Sequence, residues 1–186
     1  MPDAQPIVIR IKKGKDGRTS LSCTRADGTT TWQRQEGAQA TFFPRHDLTH
    51  YAVETALGHR QGFYGLVSSG WDFSDFGSPW PRGRLPVEAG ISEMIVGVLD
   101  MERRTGERVS ADELNKKLAE YSVENGLPQQ RQLTEEDLAR VRATRGEMFA
   151  RWEAVRPGDA LEIPFEVAQA SLRDEPAPHL QRNGAA

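Results

Sequence analysis

The sequence predicts a single α+β domain, in which a small antiparallel sheet packs against about four α-helices. Short alternating segments with glycine-bearing turns occupy the first third, helical capping signals follow, and one alternating segment returns near the C-terminus. The AVILMFWYC residues make up 37% of the 186 residues and 17 more are glycine, a composition typical of globular proteins and not of disordered chains. We expect this domain to span residues 1–170, followed by a disordered tail over 171–186.

The first third of the chain predicts a β-meander of three strands. Its segments alternate apolar and polar residues, and the turns at 14–17 and at Asp27-Gly28 are of the kind that joins antiparallel strands. The third segment, residues 29–34, carries Trp32. Near the C-terminus, residues 161–167 alternate again and contain Pro164, which cannot donate a ladder hydrogen bond and therefore favours an edge position. We expect this last strand to complete the N-terminal sheet.

Four helices are predicted from residues that start and stop helices. Pro44 suits a first turn and Gly58 a left-handed end, while Ser110 and Thr134 open acidic N-terminal turns. The second helix is apolar all round at its middle, which indicates a central, buried helix. The predicted ranges are 44–57, 86–104, 110–125 and 134–156.

Between the first two helices, residues 59–86 show no sustained helical or strand period. Six aromatic residues lie there among glycines, serines and prolines. Loops of this length inside a compact domain often form lids or binding surfaces. We therefore expect residues 62–80 to form an aromatic loop that shapes a pocket.

Composition also narrows the class of function. The formal net charge is −3, so no global field would recruit nucleic acid, and the longest apolar run is too short to cross a membrane. A single cysteine, Cys23, excludes an intramolecular disulfide framework and is expected in the core. The first residues lack the features of a signal peptide. We therefore expect a cytoplasmic protein without nucleic-acid or membrane partners.

The segment that carries chemistry is the predicted helix containing His46 and His50. Residues four apart lie on one helix face, so the two imidazoles project together and could bind one divalent metal ion. With Asp47, the pair resembles over five positions the His-Glu-x-x-His motif of zinc metalloproteases, Asp47 standing at the position of the glutamate base. The third histidine found downstream in such enzymes is missing, which indicates similar ligand spacing without family membership. Glu54 lies beside His50 as a further base or ligand.

His46 and Glu54 cannot both join His50 at one ion, because eight residues of helix advance about 12 Å. The ion is therefore bound either by His46 and His50 with a third ligand from elsewhere, or by His50 and Glu54 with His46 behind them. The ion could be zinc, manganese, iron or nickel. The candidates for the remaining position are His59, Asp72, Asp75, Glu88 and Glu93.

These observations lead to two hypotheses of different class. In the first, the protein is a metal-dependent hydrolase with His46 and His50 as metal ligands, Asp47 or Glu54 as the catalytic carboxylate, and a small-molecule substrate of unknown identity. In the second, it is a non-catalytic protein-binding or adaptor domain whose histidines are structural and whose aromatic loop is the docking surface. Neither the partner nor the oligomeric state follows from the sequence.

Overall fold

The computed structural model describes residues 5–167 and contains one four-stranded antiparallel sheet. The strand order β3-β2-β1-β4 places the C-terminal strand beside the first one, where Val8 is opposite Pro164. The expected sheet and the edge position of the Pro164 strand are confirmed. The strands are β1 (Ile7–Lys13), β2 (Thr19–Arg25), β3 (Thr30–Gln35) and β4 (Ala160–Phe165).

The helices confirm the α+β class, although the described residues contain five α-helices and not four. The side chains of Ser110 and Thr134 cap α4 and α5 by accepting from the backbone N–H three residues on, as the sequence predicts. The helices are α1 (Ala38–Leu57), α2 (Phe63–Ser68), α3 (Val87–Thr105), α4 (Ala111–Glu124) and α5 (Glu135–Ala154).

The predicted start of α1 at Pro44 was wrong, because the helix begins at Ala38 and Pro44 lies inside it. A proline within a helix cannot donate to the carbonyl four residues earlier, which here is that of Ala40. The hydroxyl of Thr19 on β2 donates to this same carbonyl at 3.5 Å. The Ala40 carbonyl therefore has a donor from β2 in place of the helical bond that Pro44 cannot make.

The segment 59–86 is also more ordered than the sequence indicates. It contains α2 and a short 3₁₀ turn, Phe73–Phe76. The N-terminus of α2 is held by the Glu54 carboxylate of α1, which accepts from the backbone N–H groups of Tyr64 at 3.2 Å and Gly65 at 3.0 Å. Because this capping group lies ten residues away along the chain, no local signal could predict the helix.

Helix α1, and not α3, is the central helix of the fold. One of its faces packs with α2 and α5 on the inner face of the sheet, in a core that includes Leu48, Tyr64 and Trp152. Ala52 and Val53 pack instead with α3, α4 and α5 in a second core. The boundary between α1 and α3 carries the histidine pair, of which His50 is buried and His46 is partly buried.

Three further sequence predictions concern the cysteine, membrane-spanning helices and the C-terminal tail. Cys23 is fully buried in the sheet core, as predicted, and burial raises the pKa of its thiol. Among residues 5–167, no helix combines the length and the apolar character needed to cross a bilayer. The predicted tail, residues 171–186, lies outside the described part of the chain.

Candidate metal centre

The two histidines of α1 converge on one carboxylate of α3, that of Glu93. The Nε2 atom of His50 lies 3.0 Å from Glu93 Oε2, and the Nε2 atom of His46 lies 3.8 Å from Glu93 Oε1. The side chain of His50 is buried, with 4% of its surface exposed, whereas that of Glu93 is 62% exposed. The group therefore lies at the edge of the core, accessible from solvent on the Glu93 side.

The spacing of these atoms fits the binding of a single metal ion. Each of the three residues offers one ligand atom, and the three atoms lie within 4.8 Å of one another. Two ligands about 2.1 Å from a tetrahedral ion would be about 3.4 Å apart, and the two histidine nitrogens lie 3.0 Å and 3.8 Å from the two different oxygens of Glu93. Of the five candidates for the third ligand, the structure brings Glu93 to the histidine pair.

Each imidazole has a second carboxylate on its other nitrogen. His46 Nδ1 donates to Asp100 Oδ2 at 2.9 Å, and His50 Nδ1 lies 3.5 Å from Glu54 Oε1 without hydrogen-bond geometry. A carboxylate at Nδ1 keeps the imidazole proton on that nitrogen and leaves the Nε2 lone pair for a metal ion. The arrangement is the usual one for metal-binding histidines, with the carboxylates outside and the Nε2 atoms turned inward.

Asp100 was not among the residues that the sequence singled out. Residues seven apart on a helix lie within about 20° of one another, so Asp100 shares the face of α3 that carries Glu93. That spacing was visible in the sequence, but the pairing of this face with α1 was not. Arg103 donates to the other oxygen of Asp100 at 3.4 Å, which helps to hold the carboxylate toward His46.

The charges around His50 oppose the effect of its burial. Burial lowers the pKa of this imidazole, but the carboxylates of Glu54 and Glu93 outweigh it and raise the pKa to about 10. The hydrogen bond from His50 lowers the pKa of Glu93 in turn. The carboxylates therefore favour the protonated form of His50 next to Glu93, and a metal ion at these atoms would have to displace that proton.

Glu54 was predicted as a base or a ligand, and the structure places it behind His50. Its side chain is inaccessible to solvent, and its two oxygens accept from the backbone N–H groups at the start of α2. A Cβ atom on Gly62 would overlap the Glu54 carboxyl group, so the glycine leaves room for this buried contact. In the structure, Glu54 therefore caps a helix and faces the outer nitrogen of an imidazole.

Asp47, the other predicted catalytic carboxylate, lines the cleft next to the histidines. The residue is 4% exposed, and no described residue donates a hydrogen bond to its carboxylate. Burial raises its pKa to about 7, although the neighbouring His46 and His50 act in the opposite direction. Its backbone carbonyl accepts from the Tyr64 hydroxyl at 3.2 Å, which fixes the position of this turn of α1.

The four other candidate ligands have different partners in the structure. Asp72 pairs with Arg25 at 3.0 Å, and Asp75 accepts from Arg82 at 2.6 Å. The remaining two, His59 and Glu88, lie near the C-terminus of α1, where His59 Nδ1 is 2.7 Å from Ser92 Oγ and Glu88 accepts from the backbone N–H groups of residues 60 and 61. These contacts hold the segment after α1 in place.

The group of His46, His50 and Glu93 opens into a cleft of about 940 Å³. Helices α1 and α3 and the segment 62–80 supply most of its walls, and α4 lies at its other end. The expected role of this segment in shaping a pocket is consistent with the structure, since three of its phenylalanines line the cleft. The apolar lining includes Phe43, Phe63, Phe73, Phe76, Met94 and Met101.

An apolar cleft with a small cluster of polar groups is the usual form of a small-molecule site. Searches of protein-family models, of curated proteins and of solved structures found no match to this chain.

Proposed function

We propose that this protein is a divalent-metal-dependent hydrolase, in which His46, His50 and Glu93 bind the ion and Asp47 is the general base. The observation that supports the proposal is the convergence of three ligand atoms within 4.8 Å, at the wall of a cleft large enough for a small molecule. Two histidines and one carboxylate are a ligand set found in catalytic zinc sites, where the fourth position is left to water or substrate.

A bound divalent ion would lower the pKa of a coordinated water and polarise the carbonyl group of a substrate. Asp47 follows His46 directly, lines the same cleft and keeps both carboxylate oxygens free of hydrogen bonds from described residues. It accepts the proton of the water as the oxygen attacks the carbonyl carbon. The bond to the leaving group then breaks, and Asp47 returns the proton to that group.

Asp100 and Glu54 are positioning residues in this proposal. Asp100 accepts the Nδ1 proton of His46, and Glu54 lies beside Nδ1 of His50, so that the Nε2 atoms of both rings are turned toward Glu93, where a metal ion would replace the proton of His50. The mixed nitrogen and oxygen set suits zinc, manganese, iron or nickel. Among these, the likeness in ligand type to the catalytic zinc sites makes zinc the first ion to test.

The competing proposal is a protein-binding domain with structural histidines. The observation that favours it is the exposed indole of Trp80 at the end of the aromatic segment, where 45% of its surface is accessible. In this case the hydrogen bond between His50 and Glu93 would only join α1 to α3. The two proposals differ in whether the group binds a metal ion.

Metal binding is measured on protein purified without a polyhistidine tag, stripped with EDTA and titrated with zinc and with manganese by calorimetry. We expect one equivalent to bind, and we expect His46→Ala and Glu93→Gln each to weaken the affinity at least tenfold. The matched control is His59→Ala, which removes a histidine outside the group and should leave the affinity unchanged. If neither zinc nor manganese binds at one equivalent, or if all variants bind the ion with equal affinity, the proposed metal site is wrong.

Hydrolysis is then measured with p-nitrophenyl esters, an anilide and a phosphate diester. We expect a metal-dependent rate on at least one of them, and Asp47→Asn should lower kcat at least a hundredfold while zinc still binds. If no substrate shows a rate above that of the EDTA-treated protein, the hydrolase proposal is wrong even where the ion binds. We also propose a cytoplasmic location, which the single reduced and buried thiol, Cys23, supports.

A further inference from the structure

Gly97 lies in the interior of α3, where a glycine has no conformational reason to be. Its φ angle is not positive, and a Cβ atom placed on it would meet no other atom within 4 Å. Glycine is a poor helix former, so alanine would suit this position better if only the helix mattered. The backbone therefore does not require a glycine at position 97, and this position of α3 faces open space.

The space beside Gly97 is the cleft. Gly90 and Gly97 lie one turn before Glu93 and one turn after it on the same face of α3, and all three line the cleft. We call this stretch the glycine shelf, because α3 has no side chain at the two positions that flank Glu93, and Met94 and Met101 of the same helix line the cleft beside it. At the Gly90 end, the hydroxyl of Tyr121 from α4 closes against the helix.

Another part of the cleft lining is an aromatic wall. Phe63 stacks on Phe73 with ring centroids 5.4 Å apart, and it contacts Phe76 at a tilted angle with centroids 4.8 Å apart. Phe63 also contacts the His50 ring at 5.6 Å, so the aromatic wall continues directly into the group of His46, His50 and Glu93. The aromatic wall, the glycine shelf and the three ligand-bearing residues therefore border the same cleft.

From this geometry we infer that the cleft binds a small molecule with a thin apolar body, an acyl chain or an aromatic ring, whose hydrolysable group lies at Glu93. The volume of about 940 Å³ is at the upper end of the range for small-molecule sites. This inference names the substrate class of the proposed hydrolase and rests on that proposal for the position of the reacting group. Binding of the apolar body itself needs no metal ion.

The test measures binding on EDTA-treated protein, with the neutral fluorescent probe N-phenyl-1-naphthylamine. We expect one probe per chain, and we expect Gly97→Leu to raise the Kd at least tenfold, because the leucine occupies the shelf. Gly97→Ala should have a smaller effect of about threefold. Gly146→Leu is the matched control, since Gly146 is also exposed within a helix, with no atom within 4 Å of its Cβ position, but lies in α5 outside the cleft.

Saturable binding that Gly97→Leu weakens and Gly146→Leu leaves unchanged would support the inference. No saturable binding to the wild-type protein, or equal Kd values for the two leucine variants, would overturn it. Thermal melting serves as the folding control, and Gly97→Ala provides the comparison if the leucine variant melts below the wild type. Competition by octanoate and by benzoate then distinguishes an acyl chain from an aromatic ring.

Failure of the apolar-site inference can be distinguished from failure of the proposed hydrolase function. Probe binding with no metal uptake would retain the apolar site and remove the hydrolase proposal. Metal-dependent hydrolysis without probe binding, and with equal kcat/KM for acetate and octanoate esters, would retain the hydrolase and remove the apolar substrate class.

Discussion

Replacing Glu54 with glutamine tests whether this buried carboxylate is mainly a helix cap. The side chain is 1% exposed and has donors on both of its oxygens. The backbone N–H of Tyr64 donates to Oε1 at 3.2 Å and that of Gly65 to Oε2 at 3.0 Å, while His50 Nδ1 lies 3.5 Å from Oε1. Whichever way the amide of a glutamine is turned, its NH₂ group must face a backbone N–H group.

The magnitude follows from these contacts. A hydrogen bond to a charged group contributes about 1.5–3 kcal/mol, and a buried donor left without an acceptor costs about 1–3 kcal/mol. Because the lost hydrogen bond and the unsatisfied donor belong to the same contact, the two costs do not simply add, and we expect Glu54→Gln to lower the free energy of unfolding by about 2–4 kcal/mol. For a chain of this size, that corresponds to a decrease in Tm of about 4–16 °C.

The assay is urea unfolding followed by circular dichroism, with EDTA present so that metal binding does not contribute. The matched control is Glu147→Gln, because Glu147 is exposed on α5, and a change within about 0.5 kcal/mol is expected for it. A Glu54→Gln variant as stable as this control would refute the capping role. If that same variant also lost zinc binding, Glu54 would act as a ligand and not behind His50.

The remaining predictions concern two other buried carboxylates, each measured by urea unfolding. Glu102 accepts from Arg142 at 2.6 Å and from Arg145 at 2.9 Å. Glu102→Ala leaves these two largely buried guanidinium groups without a counter-charge, so it should lower the free energy of unfolding by about 3–5 kcal/mol. A decrease below about 1 kcal/mol would contradict this prediction. For Asp137, the hydrogen bond from Arg131 holds the pKa of the carboxyl group well below its ordinary value of 3.8. Its contribution to stability is therefore complete above pH 3.8 and is lost as the pH falls below that value, and Asp137→Asn should remove this part of the pH dependence. Equal pH profiles for wild type and Asp137→Asn would show that the contribution is absent.

Elements that depend on neighbouring residues were predictable from the sequence. The capping boxes at Ser110 and Thr134 and the edge position of Pro164 each follow from groups within one helical turn or one strand. The start of α1 and the presence of α2 were not predictable, because Thr19 and Glu54 complete their hydrogen bonds from other elements.

The candidate site also has a part that the sequence predicts and a part that it does not. The sequence by itself determined that His46, Asp47 and His50 share one part of a helix, because a spacing of four residues places two side chains on one face. Only the tertiary structure decided which of five candidates joins them, since the packing of α3 on α1 brings Glu93 to the inner nitrogens and Asp100 to an outer one. Helical periodicity is a property of local covalent geometry, whereas the choice of a partner face depends on which apolar stripes of distant segments bury each other.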